Sequence, residues 1–263
     1  MHSKIGRIAL LSMVIYTLCG CSSQVQSSGE IEVLAHRGAC FLAPENTWAA
    51  AEQALLHGAD WIEIDVRQSL DGVLFNFHDE TLQRTTDGEG LLSQTHSSQI
   101  AQLDAGAWFD EQYRGTRVPT VQGMLDSLKG RSKAFFDVKR GVEIEGLLDI
   151  VAKSGFESDS FFWFADSIAL LQAIEVLPDI NVKVNARSVE AIQKWQEVCT
   201  PSVIECPAEY ITEEMKSYCA QNNILIMAAI KEPTEESYRQ ALSKTPDIVN
   251  LDAPELWQRV VMN

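Results

Sequence analysis

The chain has 263 residues, 46% hydrophobic and 22% charged, with 15 Gly and 8 Pro, a composition that excludes a disordered or collagen-like polymer and suits a globular protein with one large core. Its formal charge is -16, and without residues 1–20, which hold Lys4 and Arg7 and no acid, it falls to -18. No nucleic-acid partner is expected, because backbone binding needs a basic face, and a small anionic substrate must be met by local positive charge from a metal, Arg or Lys.

Residues 1–20 start with Lys4 and Arg7 and continue as an apolar run from Ile8 to Leu18, the pattern of a secretory signal and too short for a spanning helix. Leu18-Cys19-Gly20-Cys21 resembles a bacterial lipoprotein signal, although Cys19 stands where a small residue is usual. That resemblance implies that Cys21 becomes a lipidated first residue, anchoring the protein to a membrane, and that Ser22 after it directs the protein to the outer membrane, facing the periplasm. The plainer alternative is a cleaved leader on a soluble exported protein. The polar Ser22 to Gly29 tract reads as a tether, giving a leader at 1–20, a tether at 21–30 and a folded unit at 31–263. Cys40, Cys199, Cys206 and Cys219 read as small buried residues or, for Cys199 with Cys206 or Cys219, as a disulfide of an exported chain.

Strand-like runs recur at Ile31 to Ala35, Trp61 to Val66, Val73 to Phe77, Ala134 to Val138, Ser160 to Phe164, Ile180 to Val184, Val203 to Cys206, Ile224 to Met227 and Asp247 to Leu251. Helix-like stretches separate most of them, at Thr47 to His57, from near Thr120, and at Val142 to Ser154, Asp166 to Leu177, Val189 to Val198, Thr212 to Gln221 and Thr234 to Leu242. Such alternation implies a parallel sheet with helices outside. The run at 73–77 is the odd one. Its link to Val66, with Asp71-Gly72 as turn, is too short for a parallel crossover and predicts an antiparallel hairpin arm. The other eight strands then make a (β/α)8 TIM barrel, with a hairpin and a loop insertion at 79–118 after the second barrel strand. An insertion that long at a strand end serves a site.

In such a barrel the active site forms at the carboxyl ends of the strands. His36 and Arg37 end the first strand, Asp65 nears the end of the second, Asp137 and Lys139 end the third and Asp252 ends the last, while the hairpin returns His78-Asp79 to the same end. Glu63 and Asp65 lie at i and i+2, so the pleat puts both carboxylates on one face and Ile62, Ile64 and Val66 on the other. Two like charges that close repel unless a cation lies between them, and oxygen-only ligands favour Mg2+ or Ca2+ over Zn2+. The bland alternative is an alternating strand with a solvated face. His57 and His96 read as structural histidines, and Phe161 to Phe164 as core or rim.

Taken together, His36-Arg37-Gly38, Pro44-Glu45-Asn46-Thr47, Glu63-Ile64-Asp65-Val66, Asp71-Gly72, His78-Asp79, Leu82-Gln83-Arg84-Thr85-Thr86-Asp87-Gly88, Val118-Pro119-Thr120 and Asp252-Ala253-Pro254 resemble the glycerophosphodiester phosphodiesterase family. Its members are divalent-metal-dependent barrels. The resemblance is dense from residue 33 to about 139 and sparse beyond. It implies Glu63, Asp65 and Asp137 as metal ligands, His36 and His78 as general acid and base in an order left open, and Arg37, Lys139 and Glu45 at the substrate phosphate. It also allows the substrate's neighbouring hydroxyl to be the nucleophile, giving a cyclic phosphate first. For Glu45, which follows Pro44 near a helix start, the helix dipole offers a simpler reason for an acid.

Two departures stand out. Asp137 replaces the family's usual Glu two residues before the lysine, and Ala228-Ala229-Ile230-Lys231 occupies the place of its Trp-Thr-x-Asn signature, which opens the site to bulkier alcohols and lipid head groups. The expected activity is hydrolysis of glycerophosphodiesters to glycerol 3-phosphate and an alcohol. A lysophospholipase D or sphingomyelinase D-like activity on lipid diesters is the second expectation, and a catalytically weakened binding lipoprotein of the envelope is the third.

Overall fold

The computed structural model describes residues 28–230 and 232–262. The leader, the lipidation candidate Cys21 and most of the tether lie outside the described residues. Among the described residues nine strands form one sheet: β1 (Glu32–Ala35), β2 (Trp61–Gln68), β3 (Leu74–Asn76), β4 (Lys133–Val138), β5 (Ser160–Phe164), β6 (Val182–Asn185), β7 (Pro201–Pro207), β8 (Leu225–Ala229) and β9 (Ile248–Leu251). All except β3 pair in parallel, in the order β1-β9-β8-β7-β6-β5-β4-β2, and β1 pairs back onto β2 to close an eight-stranded barrel. The predicted TIM barrel is therefore the fold.

Helices α1 (Trp48–Leu56), α3 (Val121–Leu128), α4 (Ile144–Ser154), α5 (Ser167–Val176), α6 (Val189–Gln196), α7 (Glu213–Gln221), α8 (Glu235–Lys244) and α9 (Pro254–Met262) follow the barrel strands in turn, and a short α2 (Ser97–Ile100) lies in the insertion. Many open on a side-chain cap: Thr47, Thr120, Asp166, Ser188, Thr212 and Thr234 each accept a backbone N–H from the first turn. The last helix, α9, is absent from the sequence reading, its apolar positions being too few and too near the chain end to show a period. Among the described residues no helix is long and apolar enough to cross a membrane.

The period-2 alternation sorts the strands into two layers. Ile62, Ile64 and Val66 point outward and join the core between sheet and helices, together with Phe136, Ile204, Ile226 and Val249. Leu34, Trp61, Phe135, Phe161, Val203, Leu225, Met227 and Ile248 fill the barrel itself, with the Phe161 ring 4.7 Å from those of both Trp61 and Phe135. Below them Glu32 accepts hydrogen bonds from Trp61 Nε1 at 2.5 Å and Lys133 Nζ at 2.8 Å, sealing the amino-terminal end. A closed, aromatic floor leaves one open mouth, at the carboxyl ends.

The hairpin prediction also holds, with β3 antiparallel to the last residues of β2 (Val66↔Asn76, Arg67↔Phe75, Gln68↔Leu74). The insertion is more ordered than a loop reading implies. Leu82, Leu92, Ile100, Ala105 and Val118 pack with Phe75 and Phe77 of the hairpin into a small second core, so the segment is a rigid wall on one side of the mouth. Cys40, Cys199, Cys206 and Cys219 are all free, and Cys206 and Cys219 are buried in the main core, where they pack as small apolar residues.

Candidate active site

The metal-ligand candidates come together. One carboxylate oxygen from each of Glu63, Asp65 and Asp137 lies within 4.8 Å of the others, because Asp65 and Asp137 are direct register partners on β2 and β4. Glu63 and Asp65 are 3% and 1% exposed, a burial that unpaired carboxylates do not tolerate. Burial and the neighbouring acids push Glu63 and Asp137 above the usual carboxylate range, whereas at Asp65 the burial penalty is outweighed by Lys139, His78 and Arg37, which hold its carboxyl low. Lys139 Nζ sits 2.6 Å from Asp65 Oδ1 and 2.8 Å from Asp137 Oδ2, so its ammonium lies inside the acidic cluster. Asp137 Oδ1 is buried with no hydrogen-bond partner. An all-oxygen, buried donor set with an unclaimed carboxylate oxygen fits a hard divalent cation such as Mg2+ or Ca2+.

Both histidines are held by carboxylates. His36 Nδ1 is 2.6 Å from Asp252 Oδ1 and His78 Nδ1 is 2.7 Å from Asp79 Oδ1, which leaves each Nε2 for chemistry. His36 Nε2 is 3.5 Å from Glu63 Oε2. Burial alone would lower the His36 imidazole, but Glu63 and the Asp252 bond outweigh it and raise the group to about 9. Asp79 drops to about 2, chiefly through its hydrogen bonds from Arg84. The carbonyl of His78 accepts from Arg67 Nε at 2.7 Å, fixing the backbone as well as the ring.

Arg37 has φ +57, a left-handed conformation that turns its N–H toward Glu63 Oε2 at 3.0 Å and its guanidinium toward Glu45 Oε1, also at 3.0 Å. Gly38 follows at φ +80, and a Cβ there would stand 2.7 Å from the Ala50 carbonyl carbon, so this turn admits only glycine. Asn46, at φ +58, donates Nδ2 to Asp65 Oδ2 at 2.8 Å, and Asn76 Nδ2 donates to the Asn46 carbonyl at 3.2 Å. The loop after β1 is thereby stapled to the metal cluster. Glu45 sits two residues before the Thr47 cap and pairs with Arg37 and Arg84, so its carboxylate orients Arg37.

Arg84 from the insertion joins the two halves. Its Nη1 and Nη2 donate to Glu45 at 2.7 and 2.8 Å, and its Nε and Nη2 donate to Asp79. One guanidinium thus supports Arg37 through Glu45 and His78 through Asp79. Sequence reading did not assign roles to Asp252, Asp79, Arg84, Asn46 or Asn76, although most stand inside the motifs that carried the resemblance. At the β8 departure Ala228 points outward into the main core, and its inward neighbours on the strand are Leu225 and Met227. His57 pairs with Gln258 and His96 caps α2, both away from the mouth.

Residues 36–154 match the glycerophosphoryl diester phosphodiesterase family. A crystal structure of a glycerophosphodiester phosphodiesterase from Agrobacterium tumefaciens superposes with a TM-score of 0.82 at 32% identity, covering 87% of this chain and 99% of that one. This chain belongs to the glycerophosphodiester phosphodiesterase family. A phosphodiesterase from Oleispira antarctica, solved with the product sn-glycerol-3-phosphate, superposes with a TM-score of 0.79 at 26% identity, over 90% of this chain and 98% of that one. The glycerophosphodiester phosphodiesterase of Caldanaerobacter subterraneus is 27% identical over 231 residues, 85% of this chain and 94% of its own. The likeness spans the whole barrel of these phosphodiesterases, although the family match itself ends with α4.

Proposed function

We propose that this chain is a divalent-metal-dependent phosphodiesterase that hydrolyses glycerophosphodiesters to glycerol 3-phosphate and an alcohol. The observation that carries this reading is the pair of carboxylate-held histidines flanking a buried three-carboxylate cluster, with Arg37 and Lys139 at the same mouth. Glu63, Asp65 and Asp137 would hold the cation, which supplies Lewis-acid stabilisation of charge on the nonbridging phosphate oxygens. Arg37 Nε is buried with no hydrogen-bond partner and stands 3.6 Å from Asp65 Oδ2, so it offers a donor to a phosphate oxygen beside the cluster. Lys139 adds a second positive charge there.

Hydrolysis needs one proton removed from the nucleophile and one delivered to the leaving alkoxide. Asp252 and Asp79 each fix the Nδ1 side of a histidine, so that Nε2 is the atom that takes or gives the proton. His36 and His78 are the two proton-transfer groups, one giving a proton to the leaving oxygen and the other taking one from water or from a neighbouring substrate hydroxyl.

Turnover of glycerophosphocholine and of lysophosphatidylcholine micelles, each with Mg2+, Ca2+ or chelator, tests the reading. Metal-dependent release of glycerol 3-phosphate supports it. Release of choline from the lysolipid alone would shift it to a lysophospholipase D, and binding without turnover of either would make the chain a binding protein. We also place the enzyme in the cell envelope, anchored through Cys21, on the sequence pattern of residues 1–22. Palmitate labelling lost in Cys21→Ala supports that placement, and a freely soluble wild-type protein contradicts it.

A further inference from the structure

The barrel mouth holds a second polar group that neither the metal cluster nor the histidines use. Lys183 on β6 donates to Glu205 on β7 and, at 3.2 Å, to Asn185 Oδ1. Asn250 on β9 donates Nδ2 to Glu205 Oε1 at 2.9 Å, a bond that spans β8 at the level of Ala229, the register partner of Asn250. Asn250 Oδ1 is buried and has no hydrogen-bond partner. The side chains of Lys183 and Glu205 are only 6% and 13% exposed.

Such an ion pair is an expensive way to fill a barrel, because desolvation costs several kcal/mol per ion and an apolar pair of equal volume is often as stable. Neighbouring inward positions are filled that way: Val203, the register partner of Lys183, and Met227, the register partner of Glu205, are apolar. What distinguishes the pair is its position. Lys183 lies 5.6 and 5.5 Å from the ring centroids of Phe135 and Trp163 and is close enough to act electrostatically on Asp137, and Glu205 is close enough to feel His36. The group therefore faces the reacting centre from β6, β7 and β9, opposite the insertion.

We propose that Lys183, Glu205 and Asn250 form the subsite that grips the hydroxyls of the diester's polyol half; this rests on the phosphodiesterase reading above. The charges of Lys183 and Glu205 cancel, so the wall does not select an ammonium head group or a second phosphate. It presents donors (Lys183 Nζ, Asn250 Nδ2) beside acceptors (Glu205, Asn250 Oδ1), the alternation that a vicinal diol satisfies from both its hydroxyls. An alkyl chain against the same wall would leave these groups without partners and is rejected for that reason.

The experiment compares calorimetric binding of sn-glycerol 3-phosphate and of inorganic phosphate, with Mg2+ present, in wild type, Glu205→Gln and Asn250→Ala, beside turnover of glycerophosphocholine and bis(4-nitrophenyl) phosphate. Asn250→Ala leaves the Lys183–Glu205 pair intact and reports on the subsite if Glu205→Gln proves poorly folded. We expect glycerol 3-phosphate affinity to fall about tenfold or more relative to phosphate, as loss of a hydrogen bond to a charged group implies, with the turnover ratio of the two diesters moving the same way. Equal losses for glycerol 3-phosphate and phosphate, or no loss in either variant, would overturn the subsite while leaving the phosphodiesterase reading standing. A wild type that hydrolyses neither diester with any cation would overturn both.

Discussion

Arg84→Ala removes one exposed side chain and is expected to disable two parts of the site at once. The guanidinium makes two hydrogen bonds to Glu45 and two to Asp79, yet it is 44% exposed, so solvent screens each of them. Exposed ion pairs are worth about 0.2–1 kcal/mol, and Glu45 and Asp79 keep their other partners, Arg37 and His78, so the stability loss should be about 1–2 kcal/mol. For a domain of this size that corresponds to a fall in Tm of roughly 2–8 °C. The catalytic loss should be larger than the stability loss suggests. With Glu45 and Asp79 each tethered on one side only, Arg37 and His78 gain freedom, and misplacement by about 1 Å can cost 10²-fold in rate. The assay is steady-state hydrolysis of glycerophosphocholine beside a thermal melt. Arg84→Lys should recover only part of the activity, since a point charge does not bridge two carboxylates bidentately. A variant that melts lower yet retains kcat/KM within about twofold would refute the coupling.

Other perturbations follow from the same geometry. Asp252→Asn should lower kcat by at least about tenfold through loss of the charged orienting bond to His36 Nδ1, with little change in Tm; an unchanged kcat would remove Asp252 from the catalytic set. Glu63→Gln and Asp65→Asn should abolish both chelator-sensitive activity and calorimetric Mg2+ or Ca2+ binding, and retained binding would break the ligand assignment. Gly38→Ala has neither room nor a permitted φ and should yield a protein that unfolds several degrees lower or does not fold, checked by circular dichroism. Trp61→Ala should cost about 3–5 kcal/mol by denaturant titration, because its ring is fully buried between Phe161 and the Glu32–Lys133 plug.

The barrel was legible because its strands are short apolar runs bounded by capped helices, and the hairpin because six residues between Val66 and Val73 leave no room for a crossover. The charged residues at strand ends were legible for the same reason, since a buried β-strand ending in His36-Arg37 or Asp137-Val138-Lys139 has no packing rationale. Long-range partners were not. Asp252 meets His36 only because β9 closes beside β1, and Arg84 meets Glu45 only because the insertion folds back on its own small core. Lys183, Glu205 and Asn250 sit singly on three strands separated by whole helices, and the register that joins them across β8 leaves no mark on local sequence.

The central claim is that the carboxylate cluster and the two held histidines hydrolyse a phosphodiester, and the most direct test is glycerophosphocholine turnover by residues 30–263 with and without divalent cation, beside His36→Ala and His78→Ala. Cation-dependent release of glycerol 3-phosphate and choline is expected, reduced at least about 10²-fold in each histidine variant. Turnover that survives chelation, or that persists in either histidine variant, would contradict it.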